Sequence, residues 1–156
     1  MPRPGIFGKN TMTEKVLVRV TGEQLMEGMP ELAGSNEPIE LVTMGNLTRT
    51  EDGWVLEYEE TFDEEDMVTV DTVTISRSRV QVCKKGVIGW DAIFEEGKHG
   101  MTFYETPFGD MPMDITPSTV RVSEEKGCPQ VYLRYVMCVD DKYKAECSLT
   151  IRTELK

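Results

Sequence analysis

Between Lys142 and Arg152 polar and apolar residues alternate without a slip: Tyr143, Ala145, Cys147, Leu149 and Ile151 are apolar, and the residues between them are polar. Successive side chains of a strand point to opposite faces, so this pattern predicts a strand with one buried and one wet face. The same period of two recurs along most of the chain. It predicts about nine or ten strands in an all-β, antiparallel protein with an enclosed interior.

Val16, Val18 and Val20 mark a first strand, and Gly22–Pro38 reads as a connection with a short helical turn around Glu23–Glu27. Asp52-Gly53 is a two-residue hairpin signal of the kind that needs positive φ. With that loop Arg49 faces Leu56, Leu47 faces Tyr58 and Gly45 faces Glu60, and Leu41 and Leu47 share a face with Trp54, Leu56 and Tyr58. In the next strand the apolar phase moves from Val68 and Val70 to Val73 and Ile75, which a β-bulge near Asp71–Thr72 would explain. Val80 and Val82 lead to a turn at Lys84-Lys85-Gly86. Ile88–Glu95 and Met101–Glu105 are expected to pair across Glu96-Gly97-Lys98.

A second phase change separates Met111, Met113 and Ile115 from Val120 and Val122 across Pro117, which must sit at an edge, a bulge or a break. The apolar sets of the last two strands, Val131 to Val139 and Tyr143 to Ile151, are both odd-numbered. Their loop therefore holds an odd number of residues, most simply Asp140-Asp141-Lys142, which sets Tyr135 opposite Cys147 and turns Cys138 away from it. Short turns between successive strands favour a meandering barrel, whose closure removes the sheet edges.

A chain of 156 residues suits one domain. Residues 1–14, rich in Pro and Gly near their start, read as a mobile leader to a single β-barrel domain over 15–156, with Met1 and Met12 both eligible as the natural start. A formal net charge of −11 argues against a nucleic-acid partner. No apolar run is long enough for a membrane span or a signal-peptide core, so no membrane partner is expected. Cys83, Cys128, Cys138 and Cys147 show no zinc-type spacing and His99 is the one histidine. The default is therefore a cytoplasmic protein with reduced thiols and no metal or cofactor.

The segment Gly100–Thr116, with Tyr104-Glu105-Thr106-Pro107-Phe108-Gly109 at its centre, resembles a signature of the YwiB-like proteins, small bacterial proteins of unknown function. Gly45, the Tyr58-Glu59-Glu60 cluster and the final hairpin extend the likeness over roughly Val16 to Leu155. The resemblance implies a calycin-like (lipocalin-like) barrel and no activity. In one departure, Lys84 and Lys85 stand where an arginine is expected before the Gly86 turn, and lysine would weaken any bidentate binding there.

Glu60, by hairpin parity, shares the interior face with Trp54 and Tyr58. A carboxylate there is costly unless paired, and becomes a ligand anchor or a general base with a raised pKa; at the barrel end it would simply sit in water. Arg49 and Arg121 are the candidate partners. Tyr104, Thr106 and Phe108 could rim the barrel mouth; alternatively Pro107 and Gly109 make a tight turn on which Phe108 covers the core. The acidic run from Glu57 to Asp66 lacks calcium-loop spacing and reads as a solvated turn, and His99 as a hydrophilic turn residue. Cys83, Cys138 and Cys147 read as small core residues and Cys128 as an exposed thiol. Met44, Met101, Met111, Met113 and Met137 either line an adaptable cavity or fill the core.

Two functions stay open. One is a non-enzymatic barrel that binds a small, largely apolar ligand through Trp54, Tyr58 and the methionines, with Glu60 and Tyr104 as polar anchors and Thr106 and Phe108 at the rim. The other is an interaction module with a filled barrel, binding a protein partner or its own copy as a homodimer through outward residues such as Tyr132 and Val136. An enzyme ranks third. A cluster of Glu60, an arginine and Tyr104 around a cleft would revive it.

Overall fold

The computed structural model of the chain describes residues 13–27, 39–61, 68–86, 88–139 and 143–156. They form ten antiparallel strands: β1 (Thr13–Glu27), β2 (Ile39–Arg49), β3 (Gly53–Thr61), β4 (Val68–Ser76), β5 (Val80–Gly86), β6 (Trp90–Phe94), β7 (Gly100–Thr106), β8 (Gly109–Glu125), β9 (Cys128–Val139) and β10 (Tyr143–Leu155). The sheet runs β6-β5-β4-β3-β2-β1-β10-β9-β8-β7. It curls until its end strands meet at the bridge between Gly89 and Glu105, closed by N–H···O bonds of 2.9 and 2.8 Å. The result is a nearly closed barrel. No helix among the described residues is long and apolar enough to cross a membrane.

The expected pairing of Ile88–Glu95 with Met101–Glu105 is in fact this seam. Beyond the bridge the two strands form no ladder, and the Thr102 hydroxyl donates to the Asp91 carbonyl at 2.7 Å. The turn between them bonds to β8 instead. Gly97 N–H donates to Pro117 O at 3.0 Å, and the Glu96 carboxylate accepts from Val120 N–H at 2.9 Å.

Two register expectations hold. Tyr135 pairs with Cys147 and Val139 with Tyr143, as an odd loop requires. Tyr135 pairs with Pro117 and Arg134 with Thr119, which leaves Ser118 as the extra residue of a bulge; its hydroxyl donates to Arg134 O at 3.2 Å. That bulge lets β8 keep apolar residues inside on both sides of the proline.

Four expectations are corrected. The β2–β3 loop is Glu51-Asp52, because Arg49 pairs with Trp54, Leu47 with Leu56 and Gly45 with Tyr58. Gly53 is not among the positive-φ glycines and lies within β3, where a Cβ would stand 1.9 Å from the Ile75 carbonyl oxygen. This glycine serves a close approach between strands, not a turn. Because the slip moves every partner by an even number, the interior parity survives.

The helical turn at Glu23–Glu27 is strand, since β1 continues to Glu27 to pair with Lys144 of β10; residues 28–38 lie outside the described residues. At the N-terminus β1 begins at Thr13, which pairs with Thr48 while Glu14 pairs with Leu47; the rest of the leader lies outside the described residues.

Finally, β4 has no bulge at Asp71–Thr72: its register with β3 and β5 is unbroken. Thr69 and Asp71 share the interior face with Val73 and Ile75, at 1% and 0% exposure. The apparent change of phase comes from polar residues on the inside.

The interior is graded along the barrel axis. Cross-strand pairing joins Trp54, Ile75, Val80 and Phe94 in a row at one end, and Leu47, Leu56, Val73, Val82 and Ala92 in the row above. The next row is Gly45, Tyr58, Asp71, Lys84 and Trp90, followed by Glu60, Thr69 and Gly86. Apolar rows thus give way to polar ones within a few residues.

Candidate functional site

The polar rows build the site. Laterally paired residues on one face of a sheet stand about 5 Å apart, so Tyr58, Asp71, Lys84 and Trp90 are neighbours although up to 32 residues separate them in sequence. Gly45 closes the row, where a Cβ would lie 2.8 Å from Glu57 O and 3.3 Å from Tyr58 Cβ. Lys84 Nζ lies 2.5 Å from Glu60 Oε2 and 3.1 Å from Asp71 Oδ2. Side-chain exposure is 24% for Lys84, 22% for Glu60 and 0% for Asp71, so one ammonium serves two carboxylates at the edge of the interior.

Burial pushes Asp71 up to about 7, with hydrogen bonding to Glu60 adding to the rise and the charge of Lys84 opposing it. Burial also acts to raise Glu60, but hydrogen bonds with Asp71 and Lys84 and the ammonium charge hold it below its ordinary value. Lys84 stays charged to higher pH than usual, because its two acids outweigh its burial. The raised carboxyl expected at Glu60 therefore belongs to Asp71. Two acids sharing one cation in low dielectric cannot both ionise cheaply, and the proton stays on the more buried one. Burial raises the phenols of Tyr58 and Tyr104; the charges of Asp71 and Glu60 add to the effect at Tyr58, while Lys84 opposes it at Tyr104.

A cavity of about 400 Å³ opens beside the triad. Gln24, Glu60, Thr69 and Lys84 make its polar wall, and Met113, Tyr135, Met137 and Val139 of β8 and β9 face them. Trp90 stands edge-on to Phe94, and Phe94 to Tyr135, at 6.2 and 4.9 Å between ring centres, which places an aromatic stack beneath it. Thr69 Oγ1, Asp71 Oδ1 and Trp90 Nε1 are buried and have no hydrogen-bond partner among the described residues.

Of the residues expected at a site, Glu60 and Tyr104 line this cavity, and Tyr58 lies behind it against Asp71. Trp54 is at the opposite end of the barrel, its ring 5.4 Å below the Arg49 guanidinium, on a separate open groove of about 800 Å³. Thr106 holds the β7–β8 turn, donating to Gly109 O at 2.7 Å and accepting from Phe108 N–H at 3.1 Å. Phe108 is 97% exposed at the tip and does not cover the core.

Neither candidate arginine pairs with Glu60. Arg49 reaches Glu124 at 3.4 Å and Gly127 O at 3.2 Å, and Arg121 is exposed. Met111, Met113 and Met137 line the cavity, whereas Met44 and Met101 are exposed. His99 pairs with Asp114 at 3.1 Å. Cys128 is buried in the core, opposite to expectation, and Cys83 and Cys138 are half-buried on outward positions. Asp63–Asp66 lie outside the described residues, among which no cluster of three metal-ligating side chains occurs.

Sequence reasoning missed Asp71, Thr69 and Trp90, and met Lys84 only as a departure from a family pattern. The signal for the first two was present. Held in phase with Val73 and Ile75, β4 puts Asp71 and Thr69 inside without any bulge. A cluster of Glu60, a cation and Tyr104 does surround a cavity, with lysine in place of arginine.

No curated protein matches the chain. Among solved structures it is similar to the crystal structure of the ywiB protein from Bacillus subtilis, with a TM-score of 0.72 and 17% identity over 94% of this chain and 97% of that one; identity at that level shows the fold alone. The domain of unknown function DUF1934 matches residues 13–151, from the start of β1 well into β10, and the chain belongs to that family.

Proposed function

We propose that the chain is a non-enzymatic, calycin-like binding barrel that receives a small, largely apolar molecule in the cavity beside Lys84. The observation that carries this reading is the cavity itself, where Glu60, Thr69 and Lys84 stand on one wall and Met113, Tyr135 and Met137 on the other. The volume falls in the range of roughly 300–1,000 Å³ usual for small-molecule sites, and the thioether wall suits an adaptable apolar contact. Lys84 is held as an ammonium by its two acids, which removes it as a nucleophile and favours binding over chemistry. Four unbridged thiols accord with a cytoplasmic setting.

Native mass spectrometry on protein purified gently from its own cells tests the reading. The expected result is a small added mass that is lost on denaturation and absent from a Met137→Trp variant, whose indole fills the cavity. An added mass that persists in that variant places the ligand elsewhere, and a bare mass in the parent protein counts against the reading.

The second reading, an interaction module or homodimer, is favoured by Ile93, Met101 and Phe103, exposed at 43%, 66% and 54% on the two strands that flank the seam. It predicts a dimer mass in light scattering that reverts to monomer in a Met101→Lys, Phe103→Lys variant. A monomer at all concentrations removes the homodimer.

A further inference from the structure

The two ends of the sheet meet at the weakest wall of the barrel. Among the described residues every other pair of neighbouring strands is joined by a ladder of five or more residue pairs. Strands β6 and β7 share only the bridge between Gly89 and Glu105, whose two N–H···O bonds measure 2.9 and 2.8 Å. That bridge sets a register in which Asp91 would next face Phe103, and Ile93 would face Met101. Neither pair forms among the described residues. The Asp91 carbonyl, which the Phe103 N–H would take in a full ladder, accepts from the Thr102 hydroxyl at 2.7 Å instead.

The cavity straddles this seam. Lys84 and Trp90 line it from one end of the sheet, and Tyr104, Met111 and Met113 from the other. Outside the wall lies a second hollow of about 440 Å³, bounded by Lys84 and Trp90 again and by Asp91, Phe103 and Glu105. Two residues are thus common to the inner and outer spaces, and the Gly89–Glu105 bridge stands beside them. Its outer cover is light. Gly89 has no side chain, and that of the exposed Glu105 lies across it, with Oε1 2.5 Å from where a Cβ would stand. The far end of the seam is fixed, because the turn after β6 donates Gly97 N–H to Pro117 O and receives Val120 N–H at Glu96. Local opening follows the route that breaks the fewest bonds, so it concentrates at the bridge.

We propose that the β6–β7 seam is a lateral gate, which opens by release of the Gly89–Glu105 bridge and joins the inner cavity to the outer hollow. The gate is a property of the wall; that a ligand passes through it rests on the binding-barrel reading above.

Backbone amide exchange in the whole protein reads the gate without a ligand. Successive N–H groups of a strand point to opposite edges, so Gly89 and Glu105 donate across the seam while Trp90 and Tyr104 donate into the β5 and β8 ladders. Gly89 and Glu105 are expected to exchange at least about tenfold faster than Trp90 and Tyr104, after allowance for intrinsic rates. Equal protection of the four overturns the gate.

Passage is read with the neutral fluorophore 1-aminoanthracene and an Asp91→Cys, Phe103→Cys variant. It also carries Cys83→Ser, because Cys83 is the cross-strand neighbour of Asp91. Both new thiols stand at exposed positions outside the cavity, and are joined by oxidation or, where too far apart, by dibromobimane. Joining them is expected to slow dye association by roughly tenfold or more relative to the same variant unjoined. An unchanged rate means entry by the open end of the barrel and overturns the gate. Dye that does not bind, or binds equally in Met137→Trp, removes the binding reading, and the amide comparison then decides the gate by itself.

Discussion

Asp71 and Lys84 are direct cross-strand partners on β4 and β5, and their Oδ2 and Nζ atoms are 3.1 Å apart with the carboxylate wholly buried. Glu60, one row further along, shares the same ammonium at 2.5 Å. Removing one partner of a buried pair strands the charge that remains, which commonly costs more than the pair is worth.

Lys84→Met should therefore lower stability by about 3 kcal/mol, the low end of the range for breaking a buried pair, since Lys84 and Glu60 keep some contact with water. Urea unfolding checks this. A loss below about 1 kcal/mol would mean that the acids find other partners or that both become protonated.

The pH dependence has a defined sign. The Asp71 carboxyl rises from 3.8 to about 7 on folding, so between about pH 4 and pH 7 the native state keeps a proton that the unfolded chain has released. Its contribution is full below about pH 4 and is lost as pH rises through about 7. Glu60, lowered from 4.5, contributes oppositely, but its share is lost only as pH falls below that range; Lys84, raised from 10.5, loses its share only in strong alkali. Melting temperatures should thus fall from pH 5 to pH 7, and Asp71→Asn should flatten that slope. A slope unchanged in Asp71→Asn would assign it to other groups.

Gly53 and Gly100 make a matched pair. A Cβ at Gly53 would lie 1.9 Å from the Ile75 carbonyl oxygen, whereas at Gly100 nothing stands within 4 Å. Gly53→Ala should cost about 2 kcal/mol or more through forced separation of β3 and β4, and Gly100→Ala should change stability by less than about 0.5 kcal/mol. Chemical denaturation of both variants decides it; equal effects would contradict the close approach.

Thiol reactivity should divide the cysteines in two. Cys128 is 1% exposed and Cys147 4%, and burial pushes the Cys147 thiol up to about 11 against a hydrogen bond with Tyr135. Cys83 and Cys138 are half-buried. A colorimetric thiol reagent should modify Cys83 and Cys138 in the native protein and all four after denaturation. Rapid native reaction at Cys128 would place it outside the core.

The alternation of apolar and polar residues determined the all-β class, the strand count, the odd β9–β10 loop and the change of phase across Pro117. Each depends on neighbours along one chain, where side-chain direction follows position number. Tertiary structure decided the rest. The β2–β3 loop slipped because Gly53 answers to Ile75, a residue 22 positions away, and not to its own turn. The β4 strand kept its phase because Asp71 inside the barrel has Lys84 to pair with, a compensation invisible until β4 and β5 are in register. Trp54 and Tyr58 share a face yet serve opposite ends of the barrel, because a strand rises about 3.3 Å per residue and four residues cross most of the core. Local periodicity fixes which side of a strand a residue faces; only the register of many strands together settles which residues meet.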